Sequence, residues 1–149
     1  KKEAYIFSMV GFSAALLTWL LAQPGDPTWM LVVRGMLIGM FGAGAHLFGQ
    51  SMLMDTFAYD RKFSGVQREG VLSASFSFVE KACMAFGPLI IGFLLTTMGF
   101  DKELSPQADQ PDSAVRAMFI GFIWIPLACQ IAAISLLKFY HLDEQVLER

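Results

Sequence analysis

The sequence predicts an all-α membrane protein with four transmembrane helices. Hydrophobic residues make up 55% of the 149 residues and charged residues only 16%, whereas about 25% of a typical soluble domain is charged. The apolar residues also fall into four almost uncharged segments. Each is long enough to cross a bilayer core of about 30 Å, which takes roughly 20 helical residues. None of them alternates as barrel strands do, so the pattern favours helices.

The four predicted spans form a single unit, residues 1–149, which is the C-terminal portion of a transmembrane helical bundle. Pro24 and Pro27 follow the first span and break the helix. The connection between the second and third spans, residues 60–68, is short and charged. The connection between the third and fourth, residues 101–113, is longer and acidic. The spans cover residues 4–22, 28–54, 71–100 and 117–137.

Basic residues predict the orientation, because Lys and Arg are concentrated on the cytoplasmic side of membrane proteins. With both termini inside, the residues that face the cytoplasm are Lys1, Lys2, Arg61, Lys62, Arg68, Lys138 and Arg149. Those toward the outside are Arg34, Lys102 and Arg116. We therefore expect an integral plasma (inner) membrane protein with both termini of this chain in the cytoplasm.

Composition and motifs argue against several other classes of protein. The net charge of −2 leaves no basic surplus for binding nucleic acid. The sequence contains no phosphate-binding loop, metal-ligand cluster or Ser-His-Asp set, so we expect no enzyme, no metal site and no cofactor. A membrane-embedded hydrolase could use His46 and Asp55, but these would lie about 14 Å apart along one helix. That distance is too large for direct cooperation.

The second span carries a stripe of small residues on one face. Small residues let helix backbones approach closely, so we interpret the stripe as a packing surface. The alternative is a flexible helix that rocks against a neighbour. His46 shares this face and is either a packed, hydrogen-bonded histidine or a contact in a cavity, and Gln50, one turn further on, is a candidate for the same contact. Arg34, near the start of the span, is interpreted as an interfacial anchor. The stripe consists of Gly35, Gly39, Gly42, His46 and Gly49.

The third span carries a lysine near its middle, where a charge in the bilayer is energetically unfavourable. From a helix start near Gly70, Lys81 would lie about 16 Å along the axis. That is close to mid-bilayer, where an ionisable residue costs at least about 2.5–3.5 kcal/mol. Ser73 and Ser77 precede Lys81 at steps of four, so they share one face, which Glu80 borders. We interpret this face as the wall of a polar cavity for substrate binding or coupling. The alternative is a structural ion pair of Glu80 or Lys81 with a neighbouring helix.

Four charged residues bracket the short connection between the second and third spans. They form either a solvated charged turn or a lock between helices that seals the cytoplasmic face in one state. These candidate gate residues are Asp55, Asp60, Arg68 and Glu69.

The same region resembles a known family. Its ordered motif is similar to the loop between the tenth and eleventh helices of the glycoside–pentoside–hexuronide:cation symporters. This family includes melibiose permease and belongs to the major facilitator superfamily. The similarity continues into the third span and resumes near the end of the chain. The residues that carry it are Met52-Leu53-Met54-Asp55, Tyr59-Asp60, Gly65, Arg68-Glu69-Gly70, Ser77-Phe78-Val79-Glu80-Lys81, Gly87 and Phe139-Tyr140-His141-Leu142.

The resemblance implies that this chain is the ninth to twelfth helices of a twelve-helix major facilitator fold. In that family a lysine of the eleventh helix faces the central cavity, and Lys81 matches its position. The coupling cation, Na⁺ or H⁺, and most sugar contacts are expected on N-terminal helices that this sequence does not contain. Ala58 and Arg61 stand where the family often has acidic residues, and Gln67 stands where it often has a basic one.

Together these observations predict a secondary active transporter that couples a cation to the symport of a sugar or related glycoside. It would work by alternating access, in which two helix bundles rock around a site at the membrane midplane. The expected partners are the lipid bilayer, the missing N-terminal helices of the same polypeptide and the small-molecule substrate. One alternative is a carrier of the same family with a lipid-type substrate. Another is a small four-helix membrane protein with a structural or subunit role.

Overall fold

The computed structural model describes residues 1–23, 25–104 and 110–137, and every regular element in these ranges is a helix. Four helical segments are long and apolar enough to cross a membrane, which confirms the predicted all-α membrane fold. The helices are α1 (Lys2–Leu17), extended by a 3₁₀ turn (Thr18–Leu21), α2 (Thr28–Ser64), α3 (Glu69–Thr97), and a fourth span made of α4 (Asp112–Phe119), a π-helical turn (Ile120–Trp124) and α5 (Ile125–Leu136). Pro24, Lys138, Arg149 and the similar segment 139–142 lie outside the described residues.

Helix α2 is much longer than the apolar segment it contains. Its 37 residues would measure about 56 Å at 1.5 Å per residue, almost twice the bilayer core. It continues past residue 54 and through Asp60, and it ends at Gly65, which adopts a left-handed φ of 66° that suits glycine. The loop predicted at residues 60–68 is therefore shorter, and only residues 65–68 connect α2 to α3. Hydropathy marks the apolar part of a helix, whereas backbone hydrogen bonding continues into the polar part.

Helices α1 and α2 form an antiparallel hairpin in which aromatic rings lie over small residues. The ring of Phe41 packs directly on Gly11, where a Cβ would overlap it. The same ring meets Phe7 edge-on, with the ring centroids 5.9 Å apart. Met9 and Met52, one from each helix, are buried. The hairpin is thus held by close backbone approach and apolar burial.

Only part of the predicted glycine stripe of α2 packs against α1 in this hairpin. A Cβ at Gly42 would lie 3.2 Å from the ring of Phe12, and one at Gly49 would lie 3.2 Å from another ring of α1. In the described part of the chain, nothing lies within 4 Å of a Cβ at Gly35 or Gly39. The packing surface therefore follows Gly42 and Gly49, and the first half of the stripe stays open.

An ion pair closes the connection between α1 and α2, and it gives Arg34 a different role from the predicted interfacial anchor. Arg34 is only 4% exposed. Its Nη1 donates to Asp26 Oδ2 at 2.8 Å, and its Nη2 donates to the Leu21 carbonyl at 3.4 Å. The backbone N–H of Gln23 and then the Arg34 guanidinium lower the pKa of Asp26. The contribution of this pair to stability is therefore present above the usual pKa of an aspartate and is lost as pH falls through the lowered value.

The chain divides into two compact units, one made of Lys1–Gly70 with Leu127–Arg149 and the other of Val71–Pro126. In the second unit the C-terminal end of α3 is tied to the start of α4. Ser113 Oγ donates to the Met98 carbonyl at 2.7 Å. No residue of α3 is buried, so this apolar helix is largely uncovered in the described part of the chain.

Candidate functional site

The polar face of α3 lies near the middle of the helix. Lys81 is about 18 Å from Glu69, the first residue, and about 24 Å from Thr97, the last. Ser73 and Ser77 lie two turns and one turn before it, and all three side chains are exposed. An apolar helix of this length therefore carries a cation near its centre, at a depth that its long side chain does not readily escape.

Glu80 lies beside this face and is half-buried. Within the described ranges, no side-chain hydrogen bond or ion pair involves Glu80, Lys81, Ser73 or Ser77. The structural ion pair considered as an alternative is thus not formed by these residues with any described part of this chain. Because a charge in the bilayer core needs solvation or a counter-charge, the face is chemically equipped for a polar ligand or a partner helix. It offers an ammonium donor, a carboxylate acceptor and two hydroxyls.

The other two predicted contacts lie on α2. His46 is exposed and Gln50, one helical turn further on, is half-buried. They share a face with the open glycines Gly35 and Gly39. An imidazole and an amide one turn apart can each donate and accept hydrogen bonds, which suits contact with hydroxyl groups. Their assignment to binding stays a prediction.

All four candidate gate residues take part in ion pairs, which we call the α2–α3 ion-pair cluster. Arg68 and Asp60 form a bidentate pair, with Nε and Nη2 donating at 2.8 and 2.7 Å. The Asp60 carboxylate raises the pKa of Arg68. The other pairs are Lys1 Nζ with Asp55 Oδ1 at 2.9 Å and Arg61 Nη1 with Glu69 Oε1 at 3.2 Å.

Among the four predicted gate residues, Asp60 and Arg68 pair with each other, whereas Asp55 pairs with Lys1 and Glu69 pairs with Arg61. Lys1 links the start of α1 to α2, while Arg61 and Arg68 link the end of α2 to the loop and to the start of α3. Lys1 and Arg61 were missed as partners, because their sequence positions did not show which carboxylate each would reach. Exposed ion pairs of this kind add little stability, so their clearest effect is on geometry. Asp55 is already paired with Lys1. This is a second argument against His46 and Asp55 acting as a catalytic pair.

Comparison with known proteins identifies the class of this chain. The family described as "MFS/sugar transport protein" matches residues 1–144. An uncharacterized symporter of Synechocystis sp. is 30% identical over 149 residues, which covers 98% of this chain and 27% of the relative. The isoprimeverose transporter of Lactiplantibacillus pentosus is 29% identical over 116 residues, covering 76% of this chain and 23% of that protein.

A third relative matches this chain over a similar length. An uncharacterized symporter of Bacillus subtilis is 26% identical over 146 residues, or 97% of this chain and 30% of the relative. The chain thus spans 23–30% of the length of these three relatives. No solved structure matches it significantly. The family match across the four apolar helices and the loop motif confirms the resemblance: the chain belongs to the MFS/sugar transport proteins of the major facilitator superfamily and is an integral membrane protein.

Proposed function

We propose that this chain is the C-terminal part of a secondary active transporter that couples Na⁺ or H⁺ to the symport of a sugar or related glycoside. One observation carries the proposal: Lys81 stands near the middle of an apolar helix, on a face shared with Ser73 and Ser77 and bordered by Glu80. The family's description as sugar transport and the symporters among its relatives support the substrate class and the type of transport.

The proposed mechanism is alternating access around this midplane site. The Lys81 ammonium has three donors for sugar hydroxyls or for a carboxylate on another helix, and Ser77 adds a hydroxyl one turn away. His46 and Gln50 are the candidate contacts on α2. The coupling cation would bind on helices upstream of this chain. The α2–α3 ion-pair cluster would hold the cytoplasmic ends of the helices in one state and rearrange in the other.

Reconstitution of the full-length polypeptide tests this function. In liposomes with an imposed Na⁺ or H⁺ gradient, we expect one or more radiolabelled sugars from a panel to accumulate above the equilibrium level. We expect accumulation to stop when an ionophore collapses the gradient. The chain of residues 1–149 alone should show no uptake, because a midplane site needs walls from two helix bundles.

Two outcomes would contradict the proposal. Saturable uptake by the isolated chain would show that no further bundle is needed. Failure of the full-length protein to move any sugar, with or without a gradient, would favour a structural four-helix protein or a lipid carrier. A flux assay with fluorescent lipid separates these two alternatives.

The proposed topology predicts that residues 65–68 lie in the cytoplasm and that the loop after α3 lies outside. Single cysteines at Ser64 and Ser105, introduced after replacement of Cys83 and Cys129, should react with an impermeant thiol reagent from opposite sides of the membrane. Ser64 should be labelled only in inside-out vesicles, and Ser105 only in intact cells. Labelling of both positions from one side would rule out this arrangement of spans.

A further inference from the structure

The fourth span changes its hydrogen-bond pattern halfway along. At the π-helical turn Ile120–Trp124, the N–H of Ile125 donates to the Ile120 carbonyl, five residues back rather than four as in an α-helix. Such turns are rare and occur frequently at functional sites. Pro126 follows at once, and proline has no N–H to donate and crowds the carbonyl four residues before it. Two successive features therefore loosen the backbone over residues 120–126.

Packing of the span also changes at this point. Ala114 and Ala117, before the turn, and Ile123, within it, have no exposed surface. Gly121 lies against Ile91 of α3, at 3.4 Å from the position a Cβ would occupy. After it, no described residue of α5 is buried. The division between the two compact units falls directly after Pro126.

Proline alone does not account for the irregular turn. Pro88 lies inside α3, yet α3 is one continuous α-helix from Glu69 to Thr97. The fourth span differs because Pro126 comes shortly after a π-helical turn that contains the buried Gly121. Kinks and bends in helices concentrate at such features.

We propose that residues 120–126 are a hinge at which α5 changes its angle to α4 during transport. The anchored half, α4, stays with the C-terminal end of α3 through Ser113, and Gly121 at the start of the hinge lies against Ile91, while α5 reorients. The role in transport rests on the proposed function, whereas the bending itself does not depend on it.

Intrahelical distances measured by electron spin resonance test the hinge in the full-length protein in lipid nanodiscs, without substrate. Nitroxides at Val115 and Leu136, both exposed, would lie about 31 Å apart along a straight helix. We expect a broad or bimodal distance distribution for the wild-type span. Pro126→Ala should narrow it toward a single distance, because the restored N–H can rejoin the helical ladder.

Helix α3 supplies the matched control. Labels at Val71 and Phe93, which bracket Pro88, should give a narrow distribution that Pro88→Ala leaves unchanged. In the uptake assay, Pro126→Ala should slow transport while Pro88→Ala keeps the wild-type rate. A wild-type 115–136 distribution as narrow as that of α3, or one that Pro126→Ala does not change, overturns the hinge. Absence of uptake in every variant, with the distance change present, would overturn the proposed function and leave the hinge standing.

Discussion

Lys81→Ala is expected to abolish coupled sugar uptake by the full-length protein while leaving its abundance in the membrane unchanged. The side chain lies near the middle of α3 on an open polar face, and no described part of the chain neutralises it. Removal of the ammonium would take away a donor to substrate or a counter-charge used in coupling, without disturbing packing within these four helices. Uptake and membrane abundance are measured in parallel with Lys102→Ala, in the loop after α3, as the control.

Lys81→Arg separates charge from shape. A guanidinium keeps the positive charge but is planar and bulkier than an ammonium, so we expect normal assembly and little transport. If Lys81 instead belonged to a structural ion pair with a helix outside this chain, Lys81→Ala would strand its partner at a cost of roughly 3–5 kcal/mol. The protein would then be depleted from the membrane. If the Lys81→Ala variant takes up sugar at the wild-type rate, Lys81 is not part of the transport site.

Gly11→Leu is expected to destabilise the α1–α2 hairpin strongly. The ring of Phe41 already occupies the space that a Cβ would need, so a leucine must displace the ring or separate the two helices. Overpacking of this kind typically costs about 1–3 kcal/mol. We expect a lower unfolding temperature in detergent, measured by the loss of helical circular dichroism on heating.

Gly35→Leu is the matched control for this substitution. It adds the same side chain to the same hairpin, at a position where the described residues leave open space. The chain of residues 1–149 is the sample, so that no upstream helix can occupy that space. Equal destabilisation by the two substitutions would show that loss of glycine, rather than contact with Phe41, is responsible.

The sequence by itself determined the class of protein, the number of spans and the central position of Lys81. These follow from two constants, the thickness of the bilayer core and the rise of an α-helix. An apolar run of sufficient length must be a spanning helix, and the depth of a charge within it follows from counting. The loop motif around Tyr59-Asp60 and Arg68-Glu69-Gly70 was specific enough to indicate the family, which the family match over residues 1–144 confirmed.

Only the tertiary structure decided which residues meet. Helical periodicity put Gly35 and Gly42 on one stripe, but the hairpin uses Gly42 and leaves Gly35 open, because helices in contact cover only part of any face. Arg34 was predicted to be an interfacial anchor, and the structure shows that its side chain is buried on Asp26, since the fold of the α1–α2 connection brings that carboxylate within reach. The partners of Asp55 and Glu69, and the π-turn before Pro126, likewise depend on how the chain packs. Residue spacing gives the direction of a side chain around the axis of its helix. Whether that side chain makes a contact also depends on where a second helix lies.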